Sequence, residues 1–243
     1  MRPDAVRRVL DAELAAVRAR RVDPPPRVVD VGGGSGVLAV PFAAAGCLVT
    51  VVDPSPNALA ALHRRAEEAG VAGRVDAVQG DSDALVRLVP PGQADLVIGH
   101  GLLELVDDPA LTVAAMAEVV APGGLVSVLV ANRYAAVLHR AIAGRLDEAR
   151  QLLADSAGRL PGAGDTVLRR FDHDRLRCLL TDAGLDVELV QGDDVVADLV
   201  PGAALDATPG DAQILAELEL IAATEPPLRD VATRLHALAR RPS

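Results

Sequence analysis

Short apolar runs rich in β-branched residues alternate along this chain with segments whose apolar residues recur at helical spacing. The runs predict strands over residues 27–31, 47–52, 75–79, 94–98 and 125–131. The segments between them predict helices over residues 37–45, 56–69 and 109–120. Strands that alternate with helices are typical of a doubly wound, mostly parallel α/β sheet with helices on both faces.

The pattern differs on either side of this alternating core. Residues 1–23 predict an N-terminal helix that stops at three consecutive prolines. After the core, the pattern predicts a largely helical, arginine-bearing insertion over residues 132–170. It then predicts helices over 171–183 and 211–223 and strands over 185–191 and 234–240. We interpret residues 1–243 as one domain, with a cofactor-binding core at 27–131, a lid or substrate segment at 132–183 and C-terminal strands and helix at 184–243.

A glycine-rich loop follows the first predicted strand and opens a helix. It reads Asp-Val-Gly-Gly-Gly-Ser-Gly over residues 30–36. Glycines allow a ligand to approach the backbone closely, and the helix N-terminus offers free N–H groups. The acid at Asp30 favours a cationic ligand, because a carboxylate there repels a pyrophosphate. Glycines at 32, 33, 34 and 36, with Val37 next, also depart from the nicotinamide fingerprint.

Polar residues also end the next three strands, where ligands of parallel sheets bind. Asp53 ends the second strand and is suited to accept hydrogen bonds from ribose hydroxyls. Asp81 and Ser82 follow the third strand and are suited to an adenine amino edge. His100 follows the fourth strand, close to the expected reacting centre.

Taken together, these residues resemble the class I S-adenosylmethionine-dependent methyltransferases. The resemblance rests on the loop at 30–36, Val-Val-Asp at 51–53, Gly-Asp-Ser at 80–82 and Val-Val-Ala-Pro-Gly-Gly at 119–124. It implies a Rossmann-like, seven-stranded sheet with a reversed last strand, and S-adenosylmethionine as the methyl donor.

A narrower resemblance links residues 95–109, 138–147 and 215–242 to the bacterial tRNA 5-carboxymethoxyuridine carboxyl methyltransferases. It implies cofactor contacts from six positions that match that family: Gly32, Gly33, Asp53, Asp81, Ser82 and His100. Asp30 and Gly34 join them from the loop itself. That family also binds the methionine carboxylate with an N-terminal arginine, for which Arg2 is the first candidate and Arg7 the second.

The candidate catalytic residues depend on the acceptor. A carboxylate acceptor is already ionised at pH 7 and needs no base. A hydroxyl or amine acceptor is helped by one, and His100, His139 and His173 are the candidates. Arg133 and Tyr134, with Asn132, follow the fifth strand beside the expected acceptor site, where a carboxylate favours hydrogen-bond donors.

The amino-acid composition limits the classes of partner that this protein is expected to bind. The formal net charge is −10, the 24 basic residues are all arginine, and only three aromatic residues are present. These features argue against tRNA and other nucleic acids, which attract basic patches and stacking rings. Two distant cysteines exclude a Cys-rich zinc site, and we predict no metal. The N-terminus lacks a signal-peptide pattern and no apolar run has membrane-spanning length, so we expect a soluble, cytoplasmic protein.

The leading hypothesis is a methyltransferase enzyme acting on a small or nucleoside-like acceptor, with carboxylates included. The alternatives are a tRNA wobble-uridine carboxyl methyltransferase, a catalytically idle cofactor-binding protein and a nicotinamide-dependent oxidoreductase. A Tyr-x-x-x-Lys pair of the last class cannot form without lysine. The nine arginines between 133 and 177, against six acids, predict either a solvated face or recognition of an anionic substrate.

Overall fold

The computed structural model describes residues 5–21, 23–160, 165–200 and 210–243. Its strands are β1 Arg27–Val31, β2 Leu48–Asp53, β3 Val75–Gln79, β4 Ala94–His100, β5 Val120–Ala131, β6 Asp186–Asp193 and β7 Arg234–Arg240. They form one seven-stranded sheet in the order β3-β2-β1-β4-β5-β7-β6. β7 runs antiparallel to β5 and β6, and the other neighbouring pairs are parallel. The α/β fold prediction, with a reversed last strand, is confirmed.

Helices flank the sheet on both faces. They are α1 Ala5–Arg20, α2 Ala39–Ala44, α3 Pro56–Glu68, α4 Leu85–Leu88, α5 Pro109–Val119, α6 Arg133–Ile142, α7 Leu146–Ala154, α8 His173–Asp182 and α9 Asp211–Ala222. Within the described ranges, no helix combines the length and the apolarity needed to cross a bilayer.

Two apolar layers hold these helices to the sheet. On one face, α1, α2 and α3 bury Leu10, Phe42 and Leu62 against β1, β2, β4 and β5. On the other face, α5 and α8 bury Met116 and Leu176. The strands β1, β2 and β4 are covered on both faces, so they are apolar over most of their length, as expected for parallel strands.

Side-chain caps begin several helices close to the carboxyl ends of strands. Ser55 accepts a hydrogen bond from the Ala58 N–H at 3.2 Å and begins α3, with Pro56 at its first position. Asp108 accepts from the Ala110 N–H at 2.9 Å and begins α5. Capping satisfies backbone donors that the helix leaves free, so the short loops before α3 and α5 keep fixed paths.

Most predicted elements are present with small shifts in their bounds. α2 begins at Ala39 rather than at residue 37, because the backbone at Gly34 and Gly36 has positive φ and forms turns. β4 continues through His100, which the pattern had placed after the strand. Residues 122–124, which precede the predicted fifth strand, lie within β5, where the register with β4 shifts.

The insertion is helical only in part, so the expectation of a largely helical segment over 132–170 is wrong at its end. After α7 the chain forms no regular element before α8 in its described residues. Asp165 and Arg170 form a buried ion pair, with two N–O distances of 2.7 Å. Arg169 donates to the carbonyls of Leu103, Val106 and Asp107. These contacts replace helical hydrogen bonds and hold the segment against the loop after β4.

The layer under α1 generates a stability prediction. Leu10 is fully buried in α1, whereas Leu111 in α5 is 66% exposed. We expect Leu10→Ala to lower the free energy of unfolding by about 2–5 kcal/mol, since it leaves a cavity. Leu111→Ala, the matched control, should change it by less than about 0.5 kcal/mol. Urea unfolding followed by circular dichroism measures both, because the chain has no tryptophan. Equal losses would contradict the assigned packing of α1.

Candidate functional site

The loop after β1 lies at the centre of the carboxyl edge, where β1 pairs with both β2 and β4. The Gly32 N–H donates to the Val52 carbonyl at 2.7 Å and ties the loop to β2. At Gly33, an added Cβ would lie 2.5 Å from Cγ and Oδ2 of Asp30. Only glycine therefore lets the backbone pass this close to the carboxyl group.

Asp30 is a buried carboxyl group, 4% exposed, at the end of β1. Burial and, to a smaller extent, the neighbouring charge of Asp53 together raise the pKa of Asp30 to about 7. Both effects disfavour the ionised form, and a nearby positive charge would favour it. The position is thus suited to a cationic group, as the sequence indicated.

Asp53 ends β2 and is also buried. Its Oδ2 accepts from the Gly34 N–H at 2.9 Å, and its Oδ1 accepts from the Ser55 N–H at 2.9 Å. The carboxylate therefore connects the glycine loop to the start of α3. Each oxygen retains capacity for a second hydrogen bond, such as one from a hydroxyl pair.

A cleft of about 340 Å³ opens beside these groups. Asp53, Asp81 and Ser82 lie on one side of it, and Gly32 lies at its base. Asp81 accepts from the Ser82 N–H at 2.7 Å and caps the short 3-10 turn Ser82–Ala84. The volume is within the range of small-molecule and cofactor sites.

The opposite wall of the cleft was not predicted from the sequence. It consists of residues that follow β4: Gly101, Leu102, Leu105, Val106 and Asp107. Asp30, Gly33, Gly34 and His100 do not line the cleft itself. The Asp30 carboxyl group lies against Gly33 of the loop, and His100 lies directly before the wall in the chain.

His100 contacts other side chains across the sheet rather than the cleft. Its Nε2 lies 2.7 Å from Ser127 Oγ, and that oxygen lies 2.9 Å from Nε2 of His236. His236 Nδ1 in turn lies 3.1 Å from Nε2 of Gln191. Burial lowers the pKa of His236 to about 3. For His100, burial together with the charges of His236 and Arg234 lowers the pKa to about 3. Both rings are therefore neutral at pH 7.

The residues after β5 are used by the fold. Asn132 caps α6 and donates to the carbonyls of Asp230 and Ala232 at 2.9 and 2.7 Å. Arg133 is buried and donates to Asp172 at 2.8 Å and to the Tyr134 hydroxyl at 3.0 Å. Of these candidates, Tyr134 presents the most exposed side chain.

The remaining candidates lie away from the cleft or outside the described residues. Arg2 is outside them. Arg7 donates to Asp11 at 2.9 Å, and its guanidinium lies 4.1 Å from the centre of the Phe42 ring. His139 lies in α6, and His173 begins α8 with its Nδ1 at 3.0 Å from Asp174. Neither histidine lines the cleft.

Glu104 is a buried acid whose role the sequence did not suggest. It is 7% exposed, and its Oε1 accepts from the Ala131 N–H at 3.2 Å. Its Oε2 has no hydrogen-bond partner among the described residues, and burial is the main cause that raises its pKa. The position within Leu-Leu-Glu-Leu, between apolar neighbours, is the one available signal that this acid is buried.

Comparison with known proteins gives one consistent family. Residues 4–190 match the family described as methyltransferase domain. A tRNA 5-carboxymethoxyuridine methyltransferase of Escherichia coli K12 is 30% identical over 139 residues, which cover 57% of this chain and 51% of that protein. A ubiquinone biosynthesis O-methyltransferase of Thiobacillus denitrificans is 36% identical over 118 residues, covering 49% of this chain and 50% of that protein. The chain thus spans about half the length of these relatives.

Solved structures agree on the fold. A crystal structure of an S-adenosylmethionine-dependent methyltransferase from Methanosarcina mazei aligns with a TM-score of 0.61 at 15% identity, over 93% of this chain and 97% of that one. Phosphoethanolamine N-methyltransferase 2 of Haemonchus contortus, in complex with S-adenosyl-L-methionine, aligns with a TM-score of 0.56 at 17% identity. The alignment covers 96% of this chain and 53% of that one.

The pKa of Asp30 generates a pH prediction. Between its ordinary pKa of 3.8 and its folded pKa of about 7, the native state holds a proton that the unfolded state has lost. The contribution of Asp30 to stability is therefore lost as pH rises through this window. We expect wild type to lose about 3 kcal/mol more unfolding free energy than Asp30→Asn when the pH rises from 5 to 8, because the variant has no carboxyl group to ionise at this position.

Urea unfolding at both pH values measures this shift. His100 and His236 titrate alike in wild type and variant, so their contributions cancel in the difference. Asp76→Asn, at an exposed position of β3, is the matched control and should show no such shift. Parallel pH curves for Asp30→Asn and wild type would contradict the raised pKa.

Proposed function

The chain belongs to the methyltransferase domain family, and we propose that it transfers a methyl group to a small or nucleoside-like acceptor whose accepting atom is already ionised. Its cofactor is S-adenosylmethionine. A carboxylate is the first candidate acceptor. The single observation that carries the proposal is the buried Asp30 carboxyl group directly beneath Gly33 at the carboxyl edge.

The residues of the site fit this cofactor. Asp30 offers a negative charge that a cationic ligand would stabilise, and Gly33 leaves no side chain between that charge and the loop. Asp53 and Asp81 offer acceptors for hydroxyl and amino groups along the cleft. We propose Asp30, Gly32, Gly33, Gly34, Asp53, Asp81 and Ser82 as the cofactor-binding residues, with Arg2 as a further candidate.

When bound, S-adenosylmethionine would supply a methyl group, whose carbon forms a bond to the acceptor atom as its bond to sulfur breaks. The electron pair of the broken bond stays on the sulfur, which becomes neutral. The task of the protein is to hold the two partners in line and to exclude water. The loop at residues 30–36 and the wall at 101–107 support the first task. The segment at 132–183 supports the second, since Arg169 fastens it to that wall. We propose that this segment is a lid on a single domain.

An ionised acceptor agrees with the groups that surround the site. His100 is disfavoured as a base because its lowered pKa makes the ring a weak proton acceptor and its Nε2 is engaged by Ser127. Arg133 and Asn132 are engaged within the fold. A carboxylate has already lost its proton at pH 7, so methyl transfer to it requires no base from these residues.

A tRNA acceptor is the second candidate, because the relative from Escherichia coli is named for 5-carboxymethoxyuridine in tRNA. That base carries a carboxylate, as the proposed chemistry requires. The charge of −10 works against binding to a phosphate backbone. Several arginines between 133 and 177 are also paired with acids: Arg133, Arg140, Arg145, Arg150, Arg159 and Arg170. We therefore place the small acceptor first.

Cofactor binding supplies the first test. S-adenosylmethionine carries a positive sulfur that S-adenosylhomocysteine lacks, so its binding should favour the ionised form of Asp30. We expect its Kd to weaken by about tenfold from pH 8 to pH 6, and the Kd of S-adenosylhomocysteine to change less. In Asp30→Asn, the Kd values of the two ligands should change equally between pH 8 and pH 6, whereas Asp76→Asn should keep the wild-type difference in pH dependence. Calorimetric titration measures all of these, and binding of NAD in their place would overturn the proposal.

Transfer of a tritiated methyl group tests the acceptor. We expect label on small carboxylates, including free 5-carboxymethoxyuridine, and release of that label as methanol in mild alkali, because methyl esters are labile and methyl ethers and amines are not. Label confined to intact tRNA would favour the second candidate. Alkali-stable label would overturn a carboxylate acceptor. Cofactor binding without transfer to any pool would identify a catalytically idle protein.

A further inference from the structure

Four polar side chains form a continuous hydrogen-bonded row within one face of the sheet. The row runs from His100 in β4 through Ser127 in β5 and His236 in β7 to Gln191 in β6. Ser127 and His236 are fully buried and Gln191 is almost so. Their neighbours on this face are apolar residues such as Leu129 and Leu238. A buried polar row of this kind is costly unless each member has a partner.

The strand register explains how the row closes. His100 is opposite Leu129, Leu129 is opposite His236, and His236 is opposite Gln191. Leu129 is therefore the residue of β5 that lies between the two histidines in the strand register. The centroids of the two histidine rings are 5.7 Å apart. Ser127 lies two residues earlier on the same face of β5, and its hydroxyl reaches Nε2 of both rings.

The direction of each hydrogen bond follows from the requirement that every buried donor in the row has an acceptor. The Gln191 amide nitrogen only donates, so His236 Nδ1 accepts and carries no proton. The neutral His236 ring then carries its proton on Nε2 and donates to Ser127 Oγ. The Ser127 oxygen could accept from both rings, but the two ring nitrogens are its only hydrogen-bond partners among the described residues. Its buried proton is therefore paired only if the hydroxyl donates to His100 Nε2, which places the proton of the His100 ring on Nδ1. The two histidines are therefore opposite tautomers.

His100 Nδ1 lies at the outer end of this row. No protein group in the described residues lies within hydrogen-bond distance of it, and the His100 side chain is partly exposed at the carboxyl edge, directly before Gly101 and Leu102 of the cleft wall. The acceptor of the proposed reaction has to reach this edge. A ring nitrogen that carries a proton donates a hydrogen bond, and it cannot remove a proton from another group.

We propose that His100 donates its Nδ1–H to an ionised oxygen of the acceptor, and that Gln191, His236 and Ser127 are positioning residues that fix His100 in this form. The inference rests on the proposed function and narrows it to acceptors with an anionic oxygen. His100 thereby orients the acceptor and does not act as its base.

Histidine tautomers can be read directly by long-range proton–nitrogen NMR of the whole protein labelled with nitrogen-15. The chain has five histidines, and the His100 signals are assigned as those missing from His100→Asn. We expect a proton on Nδ1 of His100 and on Nε2 of His236. A proton on Nε2 of His100 in wild type would overturn the inference without any further variant.

Two substitutions separate a positioning role from a structural one. Ser127→Ala cuts the row between the rings, so His100 should populate both tautomers while His236 keeps its proton on Nε2. Gln191→Met removes the donor at the end of the row, so both rings should lose their single tautomer. Gln93→Met, at an exposed position before β4, is the matched control and should change neither ring. A His100 ring that keeps one tautomer in Ser127→Ala would contradict the role of the row.

Turnover tests the link to the reaction. With a carboxylate acceptor, Ser127→Ala should lower kcat by about tenfold, while the Kd of the cofactor stays within about twofold. An unchanged kcat would overturn the role of the row in the reaction. If the tautomers are as stated but no methyl transfer occurs with any acceptor, the proposed function fails and the ordering of the row stands. The two inferences are thus distinguished.

Discussion

The parallel pairing of β1 with β2 on one side and β4 on the other is the constraint on which the site depends. In register, Asp30 is opposite Val51 and Ile98, so the carboxyl ends of the three strands meet within two residues of one another. The glycine loop, Asp53 and His100 share one edge for this reason alone. The apolar layers on the two faces hold this pairing in place, since they bury most residues of the three strands.

Asp30 and Asp53 are buried at this edge, and the burial of Asp30 decides its chemistry. Asp30 is held in a setting that favours its neutral form until a cation is near, whereas the two histidines are held neutral by the same loss of solvent. One side of the edge is therefore suited to a positively charged ligand. The other side offers an oriented neutral donor to a negatively charged one. The proposed transfer of a methyl group from a cationic donor to an anionic acceptor would use these two environments next to each other.

The segment after β5 shows how the fold uses groups that resemble a binding site. Arginines between 133 and 177 suggest anion recognition when they are counted, but Arg170 is enclosed with Asp165, Arg133 with Asp172, and Arg169 with backbone carbonyls of the cleft wall. Their charges serve to hold an irregular segment against the loop after β4. A count of charges does not reveal this, because the partner of each arginine depends on how the chain folds back.

The sequence by itself determined the alternation of strands and helices, the order of the core elements and the polar residues at four successive strand ends, because each of these has a local pattern of apolar spacing, glycine or capping residues. It also indicated a cationic ligand through Asp30. The tertiary structure alone decided that Ser127, His236 and Gln191 join His100, since Ser127 and His236 are 109 residues apart and no local pattern links them. It likewise decided that Arg133 and Asn132 are engaged in the fold, and that residues 101–107 form the second wall of the cleft. Contacts of this kind depend on strand register and on packing across the sheet. Both join segments that are distant in the sequence, so no local sequence pattern predicts them.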